Sequence, residues 1–284
     1  MALKLLACLF MLIDHAGYYF YDLIPTPLYI SMRSIGRLAF PMFAWMVARG
    51  IHKTRNPFFY FLRLAGFSVV AEALFRGLDL CPTLPVYPTN VLITFSLSVV
   101  LVSGYQLATR SGLDVIASLR PIAPTNNTLP TPPRFDVRIN LGGIRLDSRL
   151  GLMIGLLMIF LAITITAWLK SAPCFVPDYD FYGLAAVLLF FIIQERCEEK
   201  NRFKRSLQFF LLLNLLFVCT RILADGLADA VGWMIQILSV AAIPVIFSPL
   251  RDRRPGRAAK YFFYLFYPLH VLALALLRLR RNVN

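Results

Sequence analysis

Apolar blocks of membrane-crossing length recur along the chain, at about 4–24, 31–51, 57–76, 90–108, 150–169, 181–195, 207–224, 232–248 and 261–277. One helix needs roughly 20 apolar residues to cross the hydrocarbon core, and these blocks approach that length. Strand-length alternation is absent, and open strands cannot satisfy their backbone groups in lipid, so helices are the expected elements. The pattern predicts an all-α, polytopic membrane helical bundle of about nine transmembrane helices. Its longest break is the stretch SLRPIAPTNNTLPTPPRFDVRINLGG within 118–143. This stretch is polar, rich in Pro and Asn, and aperiodic, so 109–149 reads as a flexible cytoplasmic loop. It is too short for a second domain and no internal repeat stands out, so 1–284 is expected to form a single transmembrane domain. The N-terminal MALKLLACLFMLI has the look of a signal peptide, but Asp14 and His15 stand where small cleavage-site residues belong. It is expected to remain as the first span.

Composition agrees with the pattern. Hydrophobic residues make up 58% of the chain, charged residues only 15%, and the mean hydropathy is +0.67. A soluble domain carries about 25% charged residues to face water, and a lipid-facing surface has no such need. The net charge of +14 would point to nucleic acid in a soluble protein, but here its placement explains it. Lys and Arg concentrate in alternate loops: HKTRN after the second block, Arg110 to Arg149 after the fourth, ERCEEKNRFKR after the sixth and RDRRPGRAAK after the eighth. Short basic loops stay on the cytoplasmic side. The alternation therefore predicts a cytoplasmic N-terminus, an outer C-terminus and no nucleic-acid partner. Arg278, Arg280 and Arg281 at the outer end are its one misfit. The five cysteines form no metal-binding spacing, and no metal site is expected. Cys81 and Cys174 both fall in predicted outer loops, where an oxidising compartment would permit a disulfide.

Ionisable groups inside spans are costly, so each asks for a partner or a task. Asp14 lies ten residues beyond Lys4, which places it and His15 roughly 15 Å into the bilayer. His270 lies nine residues beyond Tyr261, roughly 14 Å in from the same side. The two histidines are thus expected at similar depth on different helices. Neighbouring side chains diverge by about 100° on a helix, so Asp14 is expected to pair with Arg37 or Arg33 rather than with His15. Arg37, Glu72 and Arg221 fall in the outer halves of their spans. The expected chamber joins Asp14, His15, Arg37, Glu72 and His270, with Arg37 paired to Asp14 or Glu72, and with Asn90, Tyr182 and Arg221 around it. Pro41 and Pro268 are expected to kink their helices, and Gly36 and Gly183 to allow close helix approach. No P-loop, dinucleotide fingerprint or serine elbow is present.

Six stretches, strung along the chain in order, resemble the TraX family, the membrane proteins named for acetylating the N-terminus of F-type pilin. They are KLLACLFMLIDH, IGRLAFPMFAWMVARGIHKTRN, YFLRLAGFSVVAEALF, NVLITFSL, DYDFYGLAAVLL and KYFFYLFYPLHVLALAL. The segments 109–149 and 196–257 match poorly. Where that family carries an acidic-Pro-Phe-Asp motif, this chain reads Glu72-Ala73-Leu74-Phe75-Arg76, with Asp79 displaced. The resemblance implies acetyl transfer from acetyl-CoA, as co-substrate, to the N-terminal amine of a pilin-like protein at a bacterial inner membrane. It also implies kinship with transmembrane acyltransferases that rely on a first-span histidine, matched here by His15. The residues fit that chemistry. A histidine, whose ordinary pKa lies near neutrality, suits proton removal from an attacking amine. Arg37 or Asn90 would serve the oxyanion. Arg49, Lys53, Arg55 and Arg63 lie toward the cytosolic side, where cationic groups suit the coenzyme phosphates.

Two other readings stand beside this one. Either a lipid or a cell-surface glycan hydroxyl would serve as acceptor with the same site chemistry. A transporter or channel would use the same intramembrane charges as an ion path, but the paired halves common in transporters are not seen.

Overall fold

The computed structural model describes residues 2–81, 84, 89–118, 137–138, 145–172, 176–226, 232–249 and 257–283. In chain order these form α1 (Ala2–Tyr19), α2 (Thr26–Gly36), α3 (Ala39–Lys53), α4 (Pro57–Asp79), β1 (Thr89–Asn90), α5 (Val91–Ser118), β2 (Val137–Arg138) and β3 (Arg145–Leu146). There follow α6 (Ser148–Ser171), β4 (Val176–Pro177), α7 (Asp180–Arg196), α8 (Glu199–Asp225), a 3₁₀ segment (Ile235–Ala241), α9 (Ala242–Ile246) and α10 (Arg257–Val283). The fold is an all-α membrane bundle. The strands are two-residue bridges, β1 parallel to β4 and β2 antiparallel to β3. Much of the expected 109–149 loop lies outside the described residues.

Among the described residues, α1, α4, α5, α6, α8 and α10 are long and apolar enough to cross a membrane. The other three expected spans fall on shorter helices. The second is split into α2 and α3, the sixth is α7, and the eighth is the apolar helix Gly232–Ile246. Burial accounts for part of this difference. Fifteen-residue α3 buries nine of its residues and seventeen-residue α7 also buries nine, so both sit inside the bundle. Phe190 and Phe191 on α7 and Met42 on α3 are fully enclosed. By contrast α6 turns Met153, Phe160 and Trp168 outward, as a lipid-facing helix must.

The split of the second span has a local cause. Pro41 has no N–H to give the carbonyl of Arg37, and its ring crowds that carbonyl. The ladder is interrupted at Leu38, whose N–H bonds the Ile35 carbonyl three residues back, while the Arg37 N–H still bonds Arg33 four back. At the start of α4, Asn56 accepts a 3.3 Å bond from the Phe59 N–H, and Pro57 occupies the first turn.

α1 and α10 run side by side in the same direction. Lys4 Nζ lies 5.1 Å from the Phe263 ring centre near one end, and Asp22 meets Arg278 at 2.5 Å near the other. That pair explains the misfit of Arg278, which answers an acidic loop residue, and its hydrogen bond holds the Asp22 carboxyl below the usual carboxylate range. The end of the bundle that carries Lys53, Arg55, Arg110, Arg196 and Arg202 is basic. The opposite end holds Asp22, Asp79, Asp178 and Asp180, the last paired to Lys170 at 2.8 Å. Cys81 is a free thiol, and Cys174 lies outside the described residues, so the expected disulfide is not described.

α6 is held against α5 by small residues. A Cβ on Gly155 would stand 2.6 Å from the Ala108 backbone nitrogen, whereas one on Gly66 in α4 would meet open space. Backbones this close gain dispersion along their length, which drives helix association in lipid. Gly155→Ala is expected to destabilise the bundle by about 1–3 kcal/mol, as overpacking does. Gly66→Ala is expected to leave it unchanged or slightly firmer. Thermal unfolding of the two variants in the same detergent checks this.

Candidate active site

The last turns of α1 present Asp14, His15 and Tyr18 to a cavity of about 230 Å³. Arg33, Gly36 and Arg37 close one side, and Asp178 and Tyr179 another. Met11, Phe40, Phe43, Val91, Phe95 and Tyr267 complete much of the wall. The cavity lies in the half of the bundle away from the basic end.

His15 is buried and its Nδ1 lies 2.5 Å from Nε2 of His270 on α10. The rings are nearly parallel, 8° apart with centroids 4.8 Å apart. His270 Nδ1 in turn lies 2.7 Å from the Phe266 carbonyl. A carbonyl oxygen only accepts, so His270 carries its hydrogen on Nδ1 and offers a lone pair at Nε2. His15 then donates from Nδ1, and its own lone pair sits on Nε2. The hydrogen-bond partners thus assign one tautomer to each ring of the neutral pair. His15 lines the cavity and His270 stands behind it.

Asp14 pairs with Arg33, Oδ2 to Nη1 at 2.7 Å. The approach needs Gly36, because a Cβ there would overlap the Asp14 carboxylate. Asp14 Oδ1 and Arg37 Nε are buried without a hydrogen-bond partner. Arg37 stands at the break between α2 and α3 and faces Tyr179, Asp14 and Asp178. Burial pushes the Asp178 carboxyl up to about 6, while Arg37 pulls the other way. Tyr179 adopts the left-handed backbone region, φ 63°, and Asp180 follows at φ 26°. Such backbone costs energy in non-glycine residues and is held by its surroundings. Here the Tyr179 ring stacks on Phe40 with centroids 3.9 Å apart, and Thr94 Oγ1 donates to the Asp178 carbonyl. Gly183 leaves the space these groups occupy, since its Cβ would lie 3.1 Å from Tyr179 Cβ.

The expected chamber is therefore corrected in composition. Asp14, His15 and Arg37 meet in one cavity, but Glu72 is not part of its wall and does not pair with Arg37. Glu72 binds Arg76 one turn along α4 at 3.0 Å, a closer and cheaper partner. It also accepts from Asn90 Nδ2 at 3.2 Å. Asn90 spends its other amide hydrogen on the Ser68 carbonyl at 2.9 Å, so both donors are committed to packing and neither is left for an oxyanion. Tyr182 belongs to a separate buried network, donating to Asn214 at 3.1 Å and accepting from Gln236 at 3.2 Å. Arg221 pairs with Asp225 and lies 4.3 Å from the Trp233 ring centre, away from the cavity.

At the basic end, Arg49 is half-buried and Lys53, Arg55 and Arg63 are exposed. Along α3, Arg49 lies about 9 Å and Lys53 about 15 Å beyond Phe43 toward the basic end. Arg33 was expected only as one of two partners for Asp14, and Asp178, Tyr179 and Tyr267 were not among the expected site residues. Arg33 was legible as a helix-end charge four residues from Arg37. Asp178 and Tyr179 carry no local signal beyond an acidic, aromatic start to a helix. Among the described residues no cluster of His, Cys, Asp and Glu suits a metal ion.

No curated protein and no solved structure matches the chain. A family model described as TraX protein matches residues 1–123 and 151–278, leaving out much of the 109–149 segment, and covers His15, His270 and every residue of the cavity wall; the chain belongs to the TraX family.

Proposed function

We propose that this protein is a membrane-embedded acetyltransferase that moves an acetyl group from acetyl-CoA to the N-terminal amine of a pilin-like protein. Membership of the TraX family points to a role in F-pilin processing or modification. The observation that carries the finer reading is the oriented His15–His270 pair at the wall of a cavity lined by Arg37. In this reading the protein lies in a bacterial inner membrane with its N-terminus in the cytoplasm.

The acceptor amine attacks the thioester carbonyl. A C–N bond forms, the C–S bond breaks, and the coenzyme leaves as a thiolate. His15 Nε2 takes the proton from the amine and returns it to the thiolate, so no charge is left behind. His270 keeps His15 in the working tautomer by accepting from Nδ1, and its own ring is fixed by the Phe266 carbonyl. Arg37 Nε, buried and without a hydrogen-bond partner, is the donor for the tetrahedral oxyanion. Asp14 and Arg33 neutralise one another beside the pair and keep the wall polar. Arg49, Lys53, Arg55 and Arg63 at the basic end suit the coenzyme phosphates, and the arm of the donor spans the roughly 9–15 Å from Arg49 and Lys53 to the cavity.

His15→Ala is expected to lower acetyl transfer by roughly 10²–10⁴-fold, the usual contribution of a general base, with donor binding retained. His270→Ala is expected to lower kcat while sparing KM for the donor. His270→Gln, which keeps an acceptor for the His15 Nδ1–H, is expected to recover part of the loss. The measurement is transfer from labelled acetyl-CoA to a pilin peptide by the purified protein in detergent. Full activity in His15→Ala would remove it from the mechanism.

Arg55→Ala and Arg63→Ala are expected to act on binding instead. Each raises KM for acetyl-CoA at low salt, and the gap from the unaltered protein narrows as salt rises, because exposed phosphate contacts are screened. A salt-independent fall in kcat would place these residues in another role. Absence of acetyl-CoA binding by the unaltered protein would favour the transporter reading.

A further inference from the structure

The cavity wall divides into two tiers along the bundle axis. α1 points away from the basic end, whereas α3 and α5 point toward it. On α1, Met11 lies about one turn nearer the basic end than Asp14 and His15, a shift of roughly 5 Å. On α3, Phe43 lies one turn nearer than Ala39 and Phe40. On α5, Phe95 lies one turn nearer than Val91. These three are the wall residues nearest the basic end on their helices, here called the lower tier, and all are apolar. The charged wall groups Asp14, Arg33, Arg37 and Asp178 all belong to the upper tier. Phe95 is buried and stacks on Phe40 with centroids 5.9 Å apart, so the lower tier is tied to the packed core.

We infer that Met11, Phe43 and Phe95 seat the acyl end of the donor beside His15 and limit the length of the acyl group transferred. This deepens the acetyltransferase reading and rests on it. A thioester and its alkyl group carry no charge and gain from leaving water for an apolar wall. An ammonium or amine acceptor gains nothing there and finds its partners in the upper tier. The lower tier lies on the side of the basic end, from which the donor arm comes. Two phenyl rings and a thioether leave a small seat, and bulk in an apolar seat is discriminated through steric fit.

The test uses the full-length protein in detergent with acetyl-CoA, butyryl-CoA and hexanoyl-CoA as donors and one peptide amine as acceptor. The quantity read is kcat/KM for each longer donor divided by that for acetyl-CoA in the same preparation. A ratio within one variant is independent of how much of it is folded. Phe43→Ala and Phe95→Ala are expected to raise the butyryl-to-acetyl ratio by roughly tenfold or more, the low end of what one or two methylenes decide in an apolar pocket. Phe43→Leu and Phe95→Leu, which disturb packing less, are expected to shift it in the same direction by a smaller factor. Asp178→Asn in the upper tier is expected to leave it unchanged. Unaltered ratios in all four phenylalanine variants, with acetyl transfer by the parent protein intact, would overturn the seat alone. Absence of acyl transfer from every donor by the parent protein would overturn the acetyltransferase reading itself, and the seat with it.

Discussion

Two imidazoles buried inside a bilayer satisfy one another only while the helices that carry them keep one axial register. An unpaired ring nitrogen in hydrocarbon costs several kcal/mol. The bond between His15 on α1 and His270 on α10 therefore constrains both helices. Two contacts hold that register from either side, Lys4 against Phe263 and Asp22 with Arg278. The carbonyl of Phe266 fixes His270, His270 fixes His15, and the first and last long helices of the chain become one unit. A catalytic base needs such support, because an imidazole free to rotate presents its lone pair only part of the time.

The second device is the broken span. Arg33 and Arg37 stand one turn apart at the end of α2, so both side chains leave it on one side. Pro41 leaves the Arg37 carbonyl without its helical donor, and the span is interrupted between α2 and α3. Gly36 then lets the Asp14 carboxylate reach the α2 backbone, where Arg33 meets it. A kink, a missing side chain and an ion pair together bring two arginines to a cavity that would otherwise be an apolar helix contact. Charges that lipid would reject are paired there or face one another across the cavity.

The rest of the bundle supplies walls. α3 and α7 are enclosed by protein, while α4, α6 and α8 turn apolar side chains outward. The second polar network, Tyr182 with Asn214, Gln236 and Ser239, ties α7 and α8 to the 3₁₀ segment and has its donors and acceptors matched. It stands apart from the cavity. Matched polar groups of this kind specify packing and leave nothing over for a ligand. Arg37 Nε and Asp14 Oδ1 are the contrast, buried at the cavity and without hydrogen-bond partners.

The sequence by itself determined the class of this protein, because a twenty-residue apolar run has few destinations other than a membrane. It also determined the shared depth of His15 and His270, since helical rise converts residue counts into distance. The pairing of Asp14 was narrowed to two arginines, and spacing alone could not choose, because Arg33 and Arg37 lie one turn apart on the same helical face. Packing made the choice. Glu72 was legible as a charge in need of a partner, but its partner one turn away was cheaper than one across the bundle. Asp178 and Tyr179 became site residues only through the fold. Their helix start is carried over the cavity by the β1–β4 bridge, the Phe40 ring and the space left at Gly183, contacts that join residues more than eighty positions apart. Linear spacing reports what one helix will do, and the cavity is built where several meet.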